Sequence, residues 1–144
     1  MKPYVLSQVP NEDVDLFKRI QRAVDDFPDV DFGLDETGET IILSCHIFAR
    51  AIGKVFGLKH VDGFFYPNYQ HTWLLTTKGN IIDVYPVGIL GGPLLVDGND
   101  LSSYSLANWL YKEKRILRGK SKMPSFRRAV RTAVMVIKKS VTKN

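Results

Sequence analysis

Three side chains, far apart along the chain, have the types needed for nucleophilic chemistry. Cys45 is the single cysteine, and a thiol becomes a useful nucleophile when its thiolate is stabilised by the positive end of a helix or by an adjacent imidazolium. Ser44 is a suitable N-cap, so Cys45 is expected in the first turn of a helix that runs to about Phe56 and is stopped by Gly57. His71 lies in Gln70-His71-Thr72-Trp73-Leu74-Leu75, which reads as a strand with His71, Trp73 and Leu75 on one face. Where the Cys45 helix covers that face, sulfur and imidazole meet. A three-residue turn, Thr77-Lys78-Gly79, with Gly79 left-handed, would pair Thr76 with Asn80, hence Trp73 with Asp83 and His71 with Tyr85. Asp83 then shares the His71 face one diagonal step away, about 7 Å between backbone positions. A slip of one residue would turn Asp83 to the other face.

Each residue also has a plainer role open to it. Cys45 with Phe48, Ala49, Ile52 and Phe56 forms one helix face, where sulfur serves as a small hydrophobe. His71 can be a satisfied core or surface histidine, Trp73 core, and Asp83 a turn cap. Against this, His71 and Asp83 interrupt apolar strands on one expected face, and buried polar groups need partners. His46 is the poorer base, because the next helical position points about 100° away from Cys45. His60 can pair with Asp62, and with Cys45 and His71 it makes a metal site conceivable. No compact ligand spacing supports such a site, so neither metal nor other cofactor is expected.

The elements that must position these groups follow from periodicity. Asn11 is expected to cap a helix with Leu16, Ile20, Ala23, Val24 and Phe27 at helical spacing, ended by Pro28. Residues 29–40, acidic and containing Gly33 and Gly38, read as a loop. After Gly57 come three β-rich runs, residues 59–66, 70–76 and 80–85, an antiparallel meander. Residues 87–100, rich in Gly and Pro, read as an irregular connection, and the two loops would flank a cleft. Ser105 to about Lys114 reads as a short helix with Leu106, Trp109 and Leu110 inward. Ser125 is expected to cap a last helix with Phe126, Ala129, Val130, Ala133, Val134 and Ile137 on one face. The sum is an α+β fold, N-terminal helices on an antiparallel sheet followed by a basic C-terminal helix.

The 144 residues, 44% hydrophobic and 24% charged, are ordinary globular usage and suit one domain, with a core at 41–100 and a basic helical segment at 105–144. A lone cysteine excludes an internal disulfide and points to a reducing, cytoplasmic setting. No apolar run approaches the ~20 residues of a membrane span, and Met1-Lys2-Pro3-Tyr4 does not open a signal peptide. The net charge of +5 hides a split: before residue 111 stand 8 basic and 14 acidic residues, and after it 12 basic residues face Glu113 alone. Arg127, Arg128 and Arg131 head this basic patch, which suits an acidic protein partner or nucleic-acid phosphates as well as a solvated helix face. Only Phe126 interrupts the basic residues between 118 and 131, so a base-stacking platform is missing there.

The order of a helix-starting Cys45, then His71-Thr72-Trp73, then Ile81-Ile82-Asp83-Val84-Tyr85-Pro86 resembles the transglutaminase-like branch of the papain-like cysteine peptidase superfamily. The likeness covers residues 43–86, and His-x-Trp is its sharpest element. It implies a papain-like core with Cys45 as nucleophile, His71 as general base and acid, and Asp83 as its orienter. Position 39, where a papain-like enzyme would carry an oxyanion Gln, is Glu39; the oxyanion or substrate-binding donors are then sought in the Cys45 amide with Gln70, Trp73, Gln8 or Asn68. The expected activity is thiol-dependent acyl transfer on an amide or peptide: a cysteine peptidase, amidase or deamidase, hydrolysis being favoured over transfer. The alternative is a non-catalytic binding module whose basic helix contacts nucleic acid or an acidic protein.

Overall fold

The computed structural model describes residues 4–5, 13–25, 31–34, 37–38, 40–42, 44–84, 93–99 and 105–142. Among them the elements run β1 (Tyr4–Val5), α1 (Val14–Asp25), β2 (Asp31–Leu34), β3 (Thr40–Ile42), α2 (Cys45–Phe56), β4 (Lys59–Phe65), β5 (Tyr69–Leu75), β6 (Ile81–Asp83), β7 (Leu94–Val96), α3 (Leu106–Leu110), β8 (Tyr111–Glu113), a 3₁₀ turn (Lys120–Lys122) and α4 (Pro124–Thr142). The fold is α+β. Strands β7, β6, β5, β4 and β8 form a curled antiparallel sheet, with β1 added parallel to β7 at one edge, and β2 pairs with β3 separately.

Strand alternation sorts side chains between two cores. On one face Leu74, Ile82 and Leu95 pack under Phe48, Ala49 and Ile52 of α2, with Phe17 and Ile20 of α1 and Ala133 and Ile137 of α4. On the other, Trp73, Ile81, Leu94 and Val96 join Val61, Phe65 and Tyr111 around Ala107 and Leu110 of α3. The order β7-β6-β5-β4-β8 places β8 against β4, and Gly63 permits the approach: a Cβ there would stand 2.0 Å from the Lys112 carbonyl oxygen and 2.7 Å from the Trp73 ring.

Helix α2 has the expected bounds, for the expected reasons. Ser44 is extended, its Oγ accepts the Ile47 amide at 3.3 Å, and Gly57 closes the helix at φ +71°. The β5–β6 turn also keeps the expected register. Leu74 faces Ile82 and Leu75 faces Ile81, the Thr76 amide donates to the Asn80 carbonyl at 2.8 Å, and Gly79 sits at φ +85°.

Elsewhere the fold departs from the sequence reading. Residues 29–40 are not simply a loop, since 31–34 pair with 40–42 as β2 and β3. The apolar Leu94-Leu95-Val96 inserts as β7 beside β6 rather than staying irregular. The helix capped by Ser105 stops at Leu110, and Tyr111–Glu113 becomes β8 because the β4 edge takes up its backbone. Trp109 consequently points outward, 54% exposed and stacked on Tyr66 at 4.9 Å. The last helix begins at Pro124, so Ser125 lies inside its first turn and is not its cap. The Asn11 cap and the Pro28 stop lie outside the described residues, as do residues 87–92 and 100 of the expected 87–100 connection.

Candidate active site

Cys45 occupies the first residue of α2, half-buried, where its own amide and that of His46 are spared by the helix ladder and face outward from the positive helix end. His71 is 4% exposed and Asp83 fully buried. The His71 Nε2 lies 2.9 and 2.8 Å from the two Asp83 oxygens, which leaves Nδ1 as the ring nitrogen open to sulfur. The Tyr111 hydroxyl donates to Asp83 Oδ2 at 2.8 Å, and the Phe65 and Trp73 rings wall the imidazole at 5.9 and 6.2 Å between centroids. Burial, then the Asp83 charge and bond, hold the Tyr111 phenol well above its ordinary value, so it remains a donor.

The thiol and imidazole act on each other's ionisation. Burial opposes the charged form of Cys45, yet hydrogen bonding and charge from His46 and His71 outweigh it and lower the thiol from 9.0 to about 6. Burial likewise opposes the His71 cation, and the Asp83 bond, then the Cys45 bond, outweigh it and raise the imidazole to about 10. Both shifts favour the thiolate–imidazolium form of the pair over the neutral one.

The route by which they meet differs from the expected one. Helix α2 lies on the Leu74 face of the sheet, whereas His71 and Trp73 point to the opposite face. Cys45 reaches His71 because it is the terminal residue of α2, not because the helix covers the imidazole.

A second polar chain approaches the thiol from the α2 side. Arg50 grips Asp62 with two bonds, of 2.9 and 2.5 Å. Thr72 donates to Asp62 at 2.7 Å, and the His46 Nδ1 lies 2.7 Å from the same Thr72 oxygen. Burial raises Asp62, but the Arg50 and Thr72 bonds outweigh it and hold it below the ordinary carboxylate value. Ionised Asp62 can only accept, so the single Thr72 proton points to it, and His46 must donate through Nδ1–H. The sequence sets His46 aside as a base and pairs Asp62 with His60; the structure gives Asp62 to Arg50 and brings His46 beside the sulfur.

The remaining candidates separate. Trp73 is 3% exposed and belongs to the second core, its ring beside the His71 imidazole. Gln70 and Asn68 stand exposed at the β4–β5 hairpin end, and Gln8 and Glu39 lie outside the described residues. Arg127 and Arg131 are exposed on α4 and Arg128 is partly covered. Among the described residues no group of three His, Cys, Asp or Glu side chains is placed to hold a metal ion, and no helix is long and apolar enough to cross a membrane. Tyr111 was not legible because its strand pairing is decided by the β4 edge, not by local pattern. Compared with protein-family models, curated proteins and solved structures, the chain gives no significant match.

Proposed function

We propose that this protein is a thiol-dependent acyl-transfer enzyme of transglutaminase-like type, a cysteine peptidase, amidase or deamidase acting on a peptide or protein amide. The observation that carries the reading is the buried His71–Asp83 pair, with both carboxylate oxygens on Nε2 at 2.8 to 2.9 Å, beside a thiol lowered to about 6. In this reading the Cys45 thiolate attacks the amide carbonyl carbon, a C–S bond forms, and the oxygen takes up the negative charge near the Cys45 amide and the α2 N-terminus. The His71 imidazolium passes its Nδ1 proton to the leaving nitrogen as the C–N bond breaks. Neutral His71 then takes a proton from water, whose oxygen displaces sulfur from the thioester. The acid is released and the ion pair restored.

Iodoacetamide labelling tests this directly, because thiolate and not thiol is the nucleophile. Cys45 is expected to react with a midpoint near its lowered value of about 6. Without the His71 imidazolium the thiol returns toward or above 9.0, so His71→Ala labels about a hundredfold more slowly at pH 7. A Cys45 that reacts only after denaturation, or at the same rate in His71→Ala, removes the proposal.

A further inference from the structure

Beside the Arg50–Asp62 pair lies a concave surface that the acyl-transfer chemistry does not use. Two adjoining cavities, of about 360 and 320 Å³, share Arg50, His60 and Ser121. The first runs between β4 and residues 113–122, the second between α2 and α4. Their walls carry Lys54, Lys114, Arg115, Arg118, Lys122 and Arg127, none of which forms an ion pair among the described residues. The facing carboxylates are Asp62 and Glu113, and Asp62 is already held by Arg50. A concave groove with this surplus of cations concentrates an anion.

We infer that this groove docks an acidic stretch of the substrate polypeptide, an inference that rests on the acyl-transfer reading above. Charge complementarity sets the class, and two features favour carboxylates on a peptide over a nucleic acid. The aromatic residue in the groove, Phe126, is 7% exposed with the Arg50 guanidinium 5.2 Å from its ring centroid, so bases find nothing on which to stack. A concavity of a few hundred Å³ suits side chains, not a duplex. The groove is also joined to the thiol. Arg50 lines both cavities and roots the chain through Asp62 and Thr72 to His46. Arg50 and Lys54 lie five and nine residues beyond Cys45 on α2, about 8 and 14 Å along the helix axis. Extended polypeptide covers that span in roughly two to four residues. The acidic residues of a substrate therefore belong within a few positions of the bond attacked.

The test is fluorescence anisotropy with a labelled oligoglutamate, the matching oligoglutamine and a single-stranded oligothymidylate, against wild type and the exposed double variant Arg118→Glu, Lys122→Glu. Oligoglutamate is expected to bind at low salt and weaken as salt rises, with the double variant and the oligoglutamine each about tenfold weaker or more. Equal binding of the glutamine peptide, an unchanged double variant of native thermal midpoint, or tighter binding of the oligonucleotide overturns the inference. Cys45 labelling, measured in parallel, is expected to stay at the wild-type rate in the double variant. A reactive Cys45 with no oligoglutamate binding defeats the groove alone, whereas an inert Cys45 in a protein that still binds oligoglutamate defeats the catalytic reading alone.

Discussion

Neighbouring residues of β5 begin two different polar chains. His71 points away from α2 and meets the Asp83 carboxylate directly; Thr72 points to the α2 face and meets Asp62, whose charge Arg50 already neutralises. Both chains end on Cys45, one through His71 and one through His46. The difference is where the countercharge is spent. Among the described residues the cation paired with Asp83 is His71, and against burial the Asp83 bond, then the Cys45 bond, raises the imidazole to about 10. Asp62 holds Arg50, and through the Thr72 hydroxyl it fixes the orientation of the His46 ring. The Asp83 chain is built to hold its histidine charged, the Asp62 chain to hold its own in place.

The largest effect that can break this contrast comes from Asp83→Asn. An amide keeps the size and loses the countercharge, so the His71 cation loses its chief support. The labelling midpoint of Cys45 is expected to climb from about 6 toward its ordinary 9.0, slowing labelling at pH 7 by about tenfold or more. Labelling at the native rate in a folded Asp83→Asn protein would mean that the helix end and His46 suffice, and the two chains would have exchanged roles.

Much of the His71–Asp83 chain was legible because it depends on local rules. The N-cap at Ser44, the left-handed Gly79 and strand alternation set Cys45 at a helix start and Asp83 diagonal to His71. What local rules do not decide is which face a helix covers or which strand an edge recruits. The α2 helix took the Leu74 face, favoured by the Phe48, Ala49 and Ile52 surface with α1 and α4 behind it. The β4 edge drew residues 111–113 out of an expected helix, and with them the Tyr111 hydroxyl onto Asp83. The α2 chain was hidden for the same reason. Arg50, 7% exposed although it lies off the Cys45, Phe48, Ala49 and Ile52 stripe of α2, owes its burial to Asp62 arriving from β4 and to the Phe126 ring beside it.

A smaller effect tests the α2 chain. Thr72→Val preserves shape and removes the hydroxyl between Asp62 and His46. Leaving two half-buried groups short of a partner costs about 1 kcal/mol of stability by urea unfolding. If this chain only orients His46, the labelling midpoint of Cys45 rises by about half a unit or less, about twofold or less in rate at pH 6, and Thr72→Ser restores it. A Thr72→Val shift as large as that of Asp83→Asn would show that His46 carries charge as His71 does.

The smallest expected effect is an absence of slope, and it separates the two chains by proton counting. Taken alone, a His71 raised from 6.5 to about 10 contributes stability that is fully present below 6.5 and lost as pH rises toward 10. Taken alone, a Cys45 lowered from 9.0 to about 6 contributes stability present above 9 and lost as pH falls toward 6. Between 6.5 and 9.0 the folded pair holds one proton, on imidazole, and the unfolded chain also holds one, on sulfur. The pair's contribution, read as the difference in urea unfolding free energy between wild type and Cys45→Ser, His71→Gln, is therefore flat across that window and falls above it. Cys45→Ser alone removes the sulfur's proton from the count while Asp83 still raises His71, so its stability acquires a downward slope from pH 6.5 upward. Thr72→Val trades no proton and keeps the plateau. A flat profile in Cys45→Ser would mean that Asp83 does not hold His71 charged, and the distinction between a charging chain and an orienting chain would fall with it.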